Sequence, residues 1–255
     1  MTLINDTIKK QLEHRTIREF KKQSVPEEIF DTLMHVAQRT ATSNGMQTYS
    51  IMRITDQAKK DEISTVCRQE YVARAPELLI FIVDQFRNAK IAEQKGVESV
   101  NARDMDKFFQ GFTDSAIAAQ NLVVAAESLG LGVNYLGSIL NDAEKMCDIL
   151  GLPELTFPVV GLSFGYPNQD PQVKPRMDMS LRVFENTYQV HEDYLSELKD
   201  YDKEMQTYYD LRNANKRVDS FTDQVAAKTM SVIDKRQLLV NLIRKQGFEL
   251  MIEEE

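Results

Sequence analysis

Residues 112–129 read FTDSAIAAQNLVVAAESL, opening on Phe112 and closing on Leu129. The stretch is rich in alanine and apolar nearly all round, which predicts a helix lying in a core or against a second subunit. Gly130-Leu131-Gly132 ends it, and Val133-Asn134-Tyr135-Leu136-Gly137 then leads out of the core. Working outward, residues 78–83 (LLIFIV) form a continuous apolar run, the pattern of a strand buried on both faces. Residues 49–55 (YSIMRIT) predict another strand, followed by a helix over 57–66. Asp142 caps a helix that runs to Leu150, and residues 157–166 (FPVVGLSFGY) predict a further strand.

Towards the N-terminus, Leu3, Ile4, Ile8 and Leu12 stand near helical spacing. Ser24-Val25-Pro26-Glu27-Glu28 starts a second helix, capped by Ser24 or its turn and running through Ile29, Phe30, Leu33, Val36 and Ala37. Residues 39–45 make a small, polar loop. Residues 88–107 are polar and predict a loosely attached helix or excursion. Beyond residue 190 no strand is evident, and charged helical stretches occupy 194–209 and 235–245. The expected architecture is α+β, a single domain over residues 1–255 in which residues 190–255 form a helical extension.

Apolar residues make up 42% and charged residues 27%, ordinary for a globular chain. A net charge of −8 argues against nucleic acid as a partner, so an anion site must be built locally from a few gathered cations. No apolar stretch approaches the roughly 20 residues that span a bilayer, and residues 1–20 lack an apolar signal region. Cys67 and Cys147 match neither a disulfide framework nor a zinc pattern and read as two core thiols. The expectation is a cytoplasmic protein without membrane partners.

Five constellations carry chemistry. His14-Arg15-Thr16-Ile17-Arg18 sets two arginines and a hydroxyl at a helix end, where they fit either a phosphate cradle or a solvated basic turn. Lys174-Pro175-Arg176 holds two cations in a proline-stiffened loop after the last strand. Thr42, Ser43, Asn44, Met46 and Gln47, with Gln69 and Tyr71 after the next helix, offer amides and hydroxyls to a heterocycle's edge, or form plain loops. Tyr135-Leu136-Gly137-Ser138 contains a glycine that lets backbone approach a flat ligand, or a simple turn. Arg212, Lys216 and Arg217 form a local positive region that suits a second phosphate or a helix-to-helix turn. His14, His35 and His191 lack metal-ligand spacing, and His35 reads as a structural residue on an apolar helix face. GxGxxG and GxxxxGK[ST] are both missing, so neither of the usual nucleotide loops is indicated.

Taken in order, HRTIREF (14–20), RTATSNGMQ (39–47), AQNLVVAAESLGLGVNYLGSI (119–139), FPVVGLSFGYP (157–167), KPR (174–176) and NANKR (213–217) resemble the nitroreductase superfamily. The likeness is to its NADPH-preferring flavin reductase and oxygen-insensitive nitroreductase branch, and it spans nearly the whole chain. It implies an antiparallel-rich central sheet flanked by helices, an intertwined homodimer, and FMN at the dimer interface. It also implies that NADPH or NADH gives hydride, by a ping-pong mechanism, to a small acceptor such as a nitro compound or quinone. The alternatives are a flavin reductase releasing free reduced FMN and a non-catalytic flavin-binding module.

Residue by residue, the resemblance implies that Arg15, Lys174 and Arg176 hold the FMN phosphate, with His14 and Thr16 lining that end. Arg18 and Gly137 are the implied catalytic positions, at the N1/C2 edge and near N5 of the ring. Gln69 would bond the O4/N3 edge, with Tyr135, Leu136 and Ser138 around Gly137. Thr42, Ser43, Asn44, Met46 and Gln47 would approach from the partner subunit, and Arg212, Lys216 and Arg217 would grip NADPH. The loop departs from the branch pattern in carrying Thr42, Asn44 and Gly45 where serine is commoner.

Overall fold

A computed structural model describes residues 4–208 and 219–249. Two compact units emerge, one of Met1–Gln169 with Ile233–Glu255, the other of Asp170–Val232.

The first unit is built on a four-stranded antiparallel sheet ordered β1-β2-β4-β3, with β1 Tyr49–Arg53, β2 Glu77–Asp84, β3 Gly132–Leu136 and β4 Thr156–Gly165. The apolar run expected as a doubly buried strand is the centre of β2, and its period of two divides it between two cores. Leu79 and Phe81 face a cluster with Leu162, Phe164, Leu122 and Ala126. Leu78, Ile80 and Ile82 face the other side, with Ile63, Cys67, Leu136 and Met146.

Helices cover both faces. The first cluster is roofed by α2 (Glu27–Gln38) and by α5 (Met105–Ser128), the helix anticipated from FTDSAIAAQNLVVAAESL. The second is covered by α3 (Gln57–Cys67) and α6 (Ala143–Leu150). Asp142 caps α6 as expected, its carboxylate accepting from Lys145 N–H at 3.2 Å. The chain also carries α1 (Asp6–Leu12), α4 (Phe86–Gln94), α10 (Asp234–Gln237) and α11 (Leu239–Lys245) in this unit.

Several sequence expectations are corrected. Residues 133–136 do not leave the core: they are β3, paired with β4 and almost wholly buried. Ser24 does not cap α2. Pro26 occupies the cap position, its carbonyl accepting from Ile29 and Phe30 N–H, while Glu27 and Glu28 meet the positive helix end. His35 is exposed rather than structural, because Phe30, Leu33 and Ala37 form the buried stripe and His35 lies off it. Helix α5 begins at Met105, and only Phe86–Gln94 of the polar excursion is a separate helix.

The second unit contains α7 (Tyr194–Glu197), α8 (Lys199–Thr207) and α9 (Phe221–Met230). The single helix expected over 194–209 is thus broken at Leu198, where α7 ends, and Tyr209 lies outside the described residues. Asp202 of α8 accepts from Thr222 N–H at 3.0 Å, and the rings of Tyr201 and Phe221 stand 5.2 Å apart, which ties α8 to α9.

Candidate functional site

The segment His14–Arg18 leaves α1 and runs along β3. Thr16 pairs with Val133 in parallel, and Ile17 N–H donates to Val133 O at 2.8 Å. Gly132 makes this approach feasible: a Cβ there would stand 2.6 Å from Ile17 Cγ1, well inside van der Waals contact. Ile17 is buried, while His14, Arg15, Thr16 and Arg18 stay half-buried at the surface. His14 Nδ1 lies 2.6 Å from Glu127 Oε1, so the last turn of α5 anchors the ring. Arg18 Nε is buried and has no hydrogen-bond partner among the described residues. Past Arg18 the chain joins the end of β4, with Lys21 N–H on Tyr166 O at 2.8 Å and Asn168 N–H on Glu19 O at 2.9 Å.

A second group converges where β3 ends. Gly137 is exposed and nothing lies within 4 Å of where its Cβ would stand. Ser138 Oγ donates to Gln69 Oε1 at 3.0 Å, so residues distant in sequence meet here. Leu136 turns its side chain into the core and is 1% exposed. Tyr135 packs on the opposite face and donates to Gln120 Oε1 at 3.2 Å. Burial, helped by the negative charge of Glu127, pushes its phenol well above the usual range.

The loop 42–47 is held elsewhere. Ser43 gives both its N–H (2.9 Å) and its hydroxyl (3.0 Å) to Asp114 Oδ1, and Thr48 Oγ1 donates to Asp114 Oδ2 at 3.1 Å. Asp114 is 1% exposed on α5, and these three donors satisfy its buried carboxylate. Asn88 Nδ2 donates to Met46 O, and Arg87 to Gln47 O. Asn44 and Gln47 both adopt φ of 52°, a left-handed conformation that asparagine tolerates better than glutamine. Thr42, Gly45 and Gln47, with Gln38, Arg39 and Thr40, line an open concavity of about 580 Å³. Thr48 O accepts from Asp84 N–H, at the last residue of β2, whereas residues 18–20 run beside the end of β4 that pairs with the start of β2. One chain therefore keeps loop 42–47 at the opposite end of the sheet from Arg18.

Lys174 and Arg176 belong to the second unit and are exposed. Arg176 Nη1 donates to Lys174 O at 2.9 Å and Pro175 O at 3.1 Å, and Tyr201 OH to Pro175 O at 3.3 Å. Arg212, Lys216 and Arg217 lie outside the described residues.

Sequence reasoning missed Glu127, Gly132 and Asp114. Only Asp114 left a signal, an acid set among the small and apolar residues of 112–119, where a buried charge demands partners. Cys67 and Cys147 are free and buried, as expected of core thiols. Among the described residues no group of His, Cys, Asp and Glu could hold a metal, and no helix is long and apolar enough to cross a membrane.

Known proteins resemble this chain in sequence and in fold. The Nitroreductase family matches residues 12–166, and the Nitroreductase family C-terminal domain matches 174–251. FMN reductase (NADPH) of Bacillus subtilis is 35% identical over 96% of this chain and 99% of its own length. The oxygen-insensitive NADPH nitroreductase of Salmonella typhimurium is 32% identical, over 96% of this chain and 99% of its own. Among solved structures, the NADPH:FMN oxidoreductase from Vibrio harveyi complexed with NAD+ superposes with a TM-score of 0.85 at 33% identity, covering 96% of this chain and 99% of that one.

Proposed function

This chain belongs to the nitroreductase family and is a flavin-dependent NAD(P)H oxidoreductase, and we propose that residues 14–18, Gln69, Gly137 and Ser138 form one wall of its FMN site. The residues present fit that group. The carrying observation is Arg18, whose buried Nε is a donor without a partner among the described residues, the state in which a site awaits an acceptor. Arg15 on the same segment adds a second guanidinium, suited to bidentate contact with phosphate. The open space over Gly137 admits a flat ring to the backbone.

When bound, FMN supplies the hydride transfer from nicotinamide to acceptor, chemistry that no side chain of the protein performs. The chain's own residues position and polarise. Arg15, with His14 and Thr16 beside it, binds the phosphate end. Arg18 supplies positive charge where negative charge collects on reduction, which lowers the barrier to that step. Gly137 lets the ring approach its backbone N–H. Arg212, Lys216 and Arg217 take the phosphates of NADPH.

The site is completed by a second subunit. Loop 42–47 sits at the far end of the sheet from Arg18 in one chain, so Thr42, Ser43, Asn44, Met46 and Gln47 serve the partner's ring in a homodimer. The outer face of α5, with Phe109 and Ile117 exposed, supplies apolar surface for that pairing. The acceptors are small and electron-poor, such as nitro compounds and quinones, and free FMN competes for the same place. Two buried free thiols accord with work in a reducing cytoplasm.

The visible spectrum of the purified protein tests the flavin. A yellow preparation, or one that takes up added FMN, is expected; a colourless protein that takes up none contradicts the proposal. Steady-state turnover of NADPH and NADH against nitro compounds, quinones and excess FMN then ranks the acceptors.

A further inference from the structure

Gln69 is held on every side but one. Its N–H donates to Ser64 O at 3.1 Å, and Ser64 Oγ donates to Gln69 O at 3.1 Å, so the backbone is clamped to α3 in both directions. Its side-chain Oε1 accepts from Ser138 Oγ at 3.0 Å. Nε2 makes no hydrogen bond among the described residues, and it is the end of the amide that remains for a ligand.

The polarity of this contact is set by its donor. Ser138 Oγ–H is given to Gln69 Oε1, the acceptor end of the amide, which leaves both hydrogens of Nε2 turned away from Ser138.

We propose that Ser138 is a positioning residue, whose hydroxyl fixes the Gln69 amide with Nε2 outward, so that Gln69 meets the flavin as a hydrogen-bond donor to a ring carbonyl. The inference rests on the FMN reading of the site and adds the direction of the bond. The opposite orientation would offer Oε1 to a ring N–H. A donor at a carbonyl draws electron density from the ring and favours its reduction; an acceptor at an N–H does the reverse.

Two pairs of variants test this, read by FMN affinity from flavin fluorescence quenching and by the ring carbonyl stretch in Raman spectra. Gln69→Glu keeps the acceptor that Ser138 needs and removes the donor. It should weaken FMN binding at least as much as Gln69→Leu. Ser138→Ala should weaken binding by about three- to tenfold, the scale of one neutral hydrogen bond, and move the carbonyl stretch to higher frequency. Ser138→Thr should restore both. A Gln69→Glu protein with FMN affinity near that of the parent, or a Ser138→Ala protein with an unmoved carbonyl stretch, overturns the proposal while leaving the flavin site intact. A parent protein that takes up no FMN overturns the flavin reading itself.

Discussion

The two basic segments, His14–Arg18 and Lys174–Arg176, carry similar side chains but owe their shape to different forces. The first is stapled to the fold: Thr16 and Ile17 pair with β3, Gly132 makes room for Ile17, and Glu127 holds His14. The second is exposed and stiffened locally, by Pro175 and by Arg176 folding back on the carbonyls of Lys174 and Pro175. A cation fixed by a sheet loses little freedom when it meets its ligand, whereas an exposed one must be ordered by it. The stapled segment is therefore expected to dominate FMN binding and chemistry, and the exposed one to trim affinity.

The largest break in that contrast is Arg18→Ala. Loss of a charge-assisted contact on the order of 1.5–3 kcal/mol predicts a fall in kcat/KM of about tenfold to a hundredfold, measured by steady-state kinetics at saturating FMN. Next comes Gly132→Ala, which touches no ligand. Its Cβ would overlap Ile17 at 2.6 Å, and overpacking costs about 1–3 kcal/mol. Urea unfolding should report that loss, and FMN titration should show weaker binding through a displaced segment. Unchanged binding would mean that β3 does not position Arg15 and Arg18.

Smaller effects sharpen the comparison. Glu127→Gln leaves His14 a neutral partner in place of an ionic one, for a loss of about 1 kcal/mol, so FMN affinity should fall several-fold with the fold intact. Arg176→Ala removes an exposed cation worth about 1 kcal/mol or less, and its effect on FMN affinity should be the smallest and the most readily abolished by salt. An Arg176→Ala loss larger than that of Glu127→Gln would reverse the ranking of the two segments.

What the sequence revealed follows the same division. Strands β2 and β4 and helix α5 were legible because each carries its own period, apolar on both faces or along a broad stripe. Strand β3 was not, since Asn134 and flanking glycines dilute its pattern and its burial comes from neighbours supplied by β4 and by residues 16–17. The cations of the site were visible as a cluster. Their supports were not, because Gly132 and Glu127 stand more than a hundred residues from the segment they hold and only sheet register brings them together. The meeting of Gln69 with Ser138 left no signal either, since no local property of either residue announces it.

The account rests most directly on FMN being held by the wall that Arg15 and Arg18 share with Gln69, Gly137 and Ser138. Titration of FMN into the flavin-free protein, followed by quenching of flavin fluorescence, tests it. Saturation at one FMN per chain is predicted, with binding weakened strongly by Arg15→Ala and slightly by Arg176→Ala. No quenching, or quenching that Arg15→Ala leaves untouched, would contradict it.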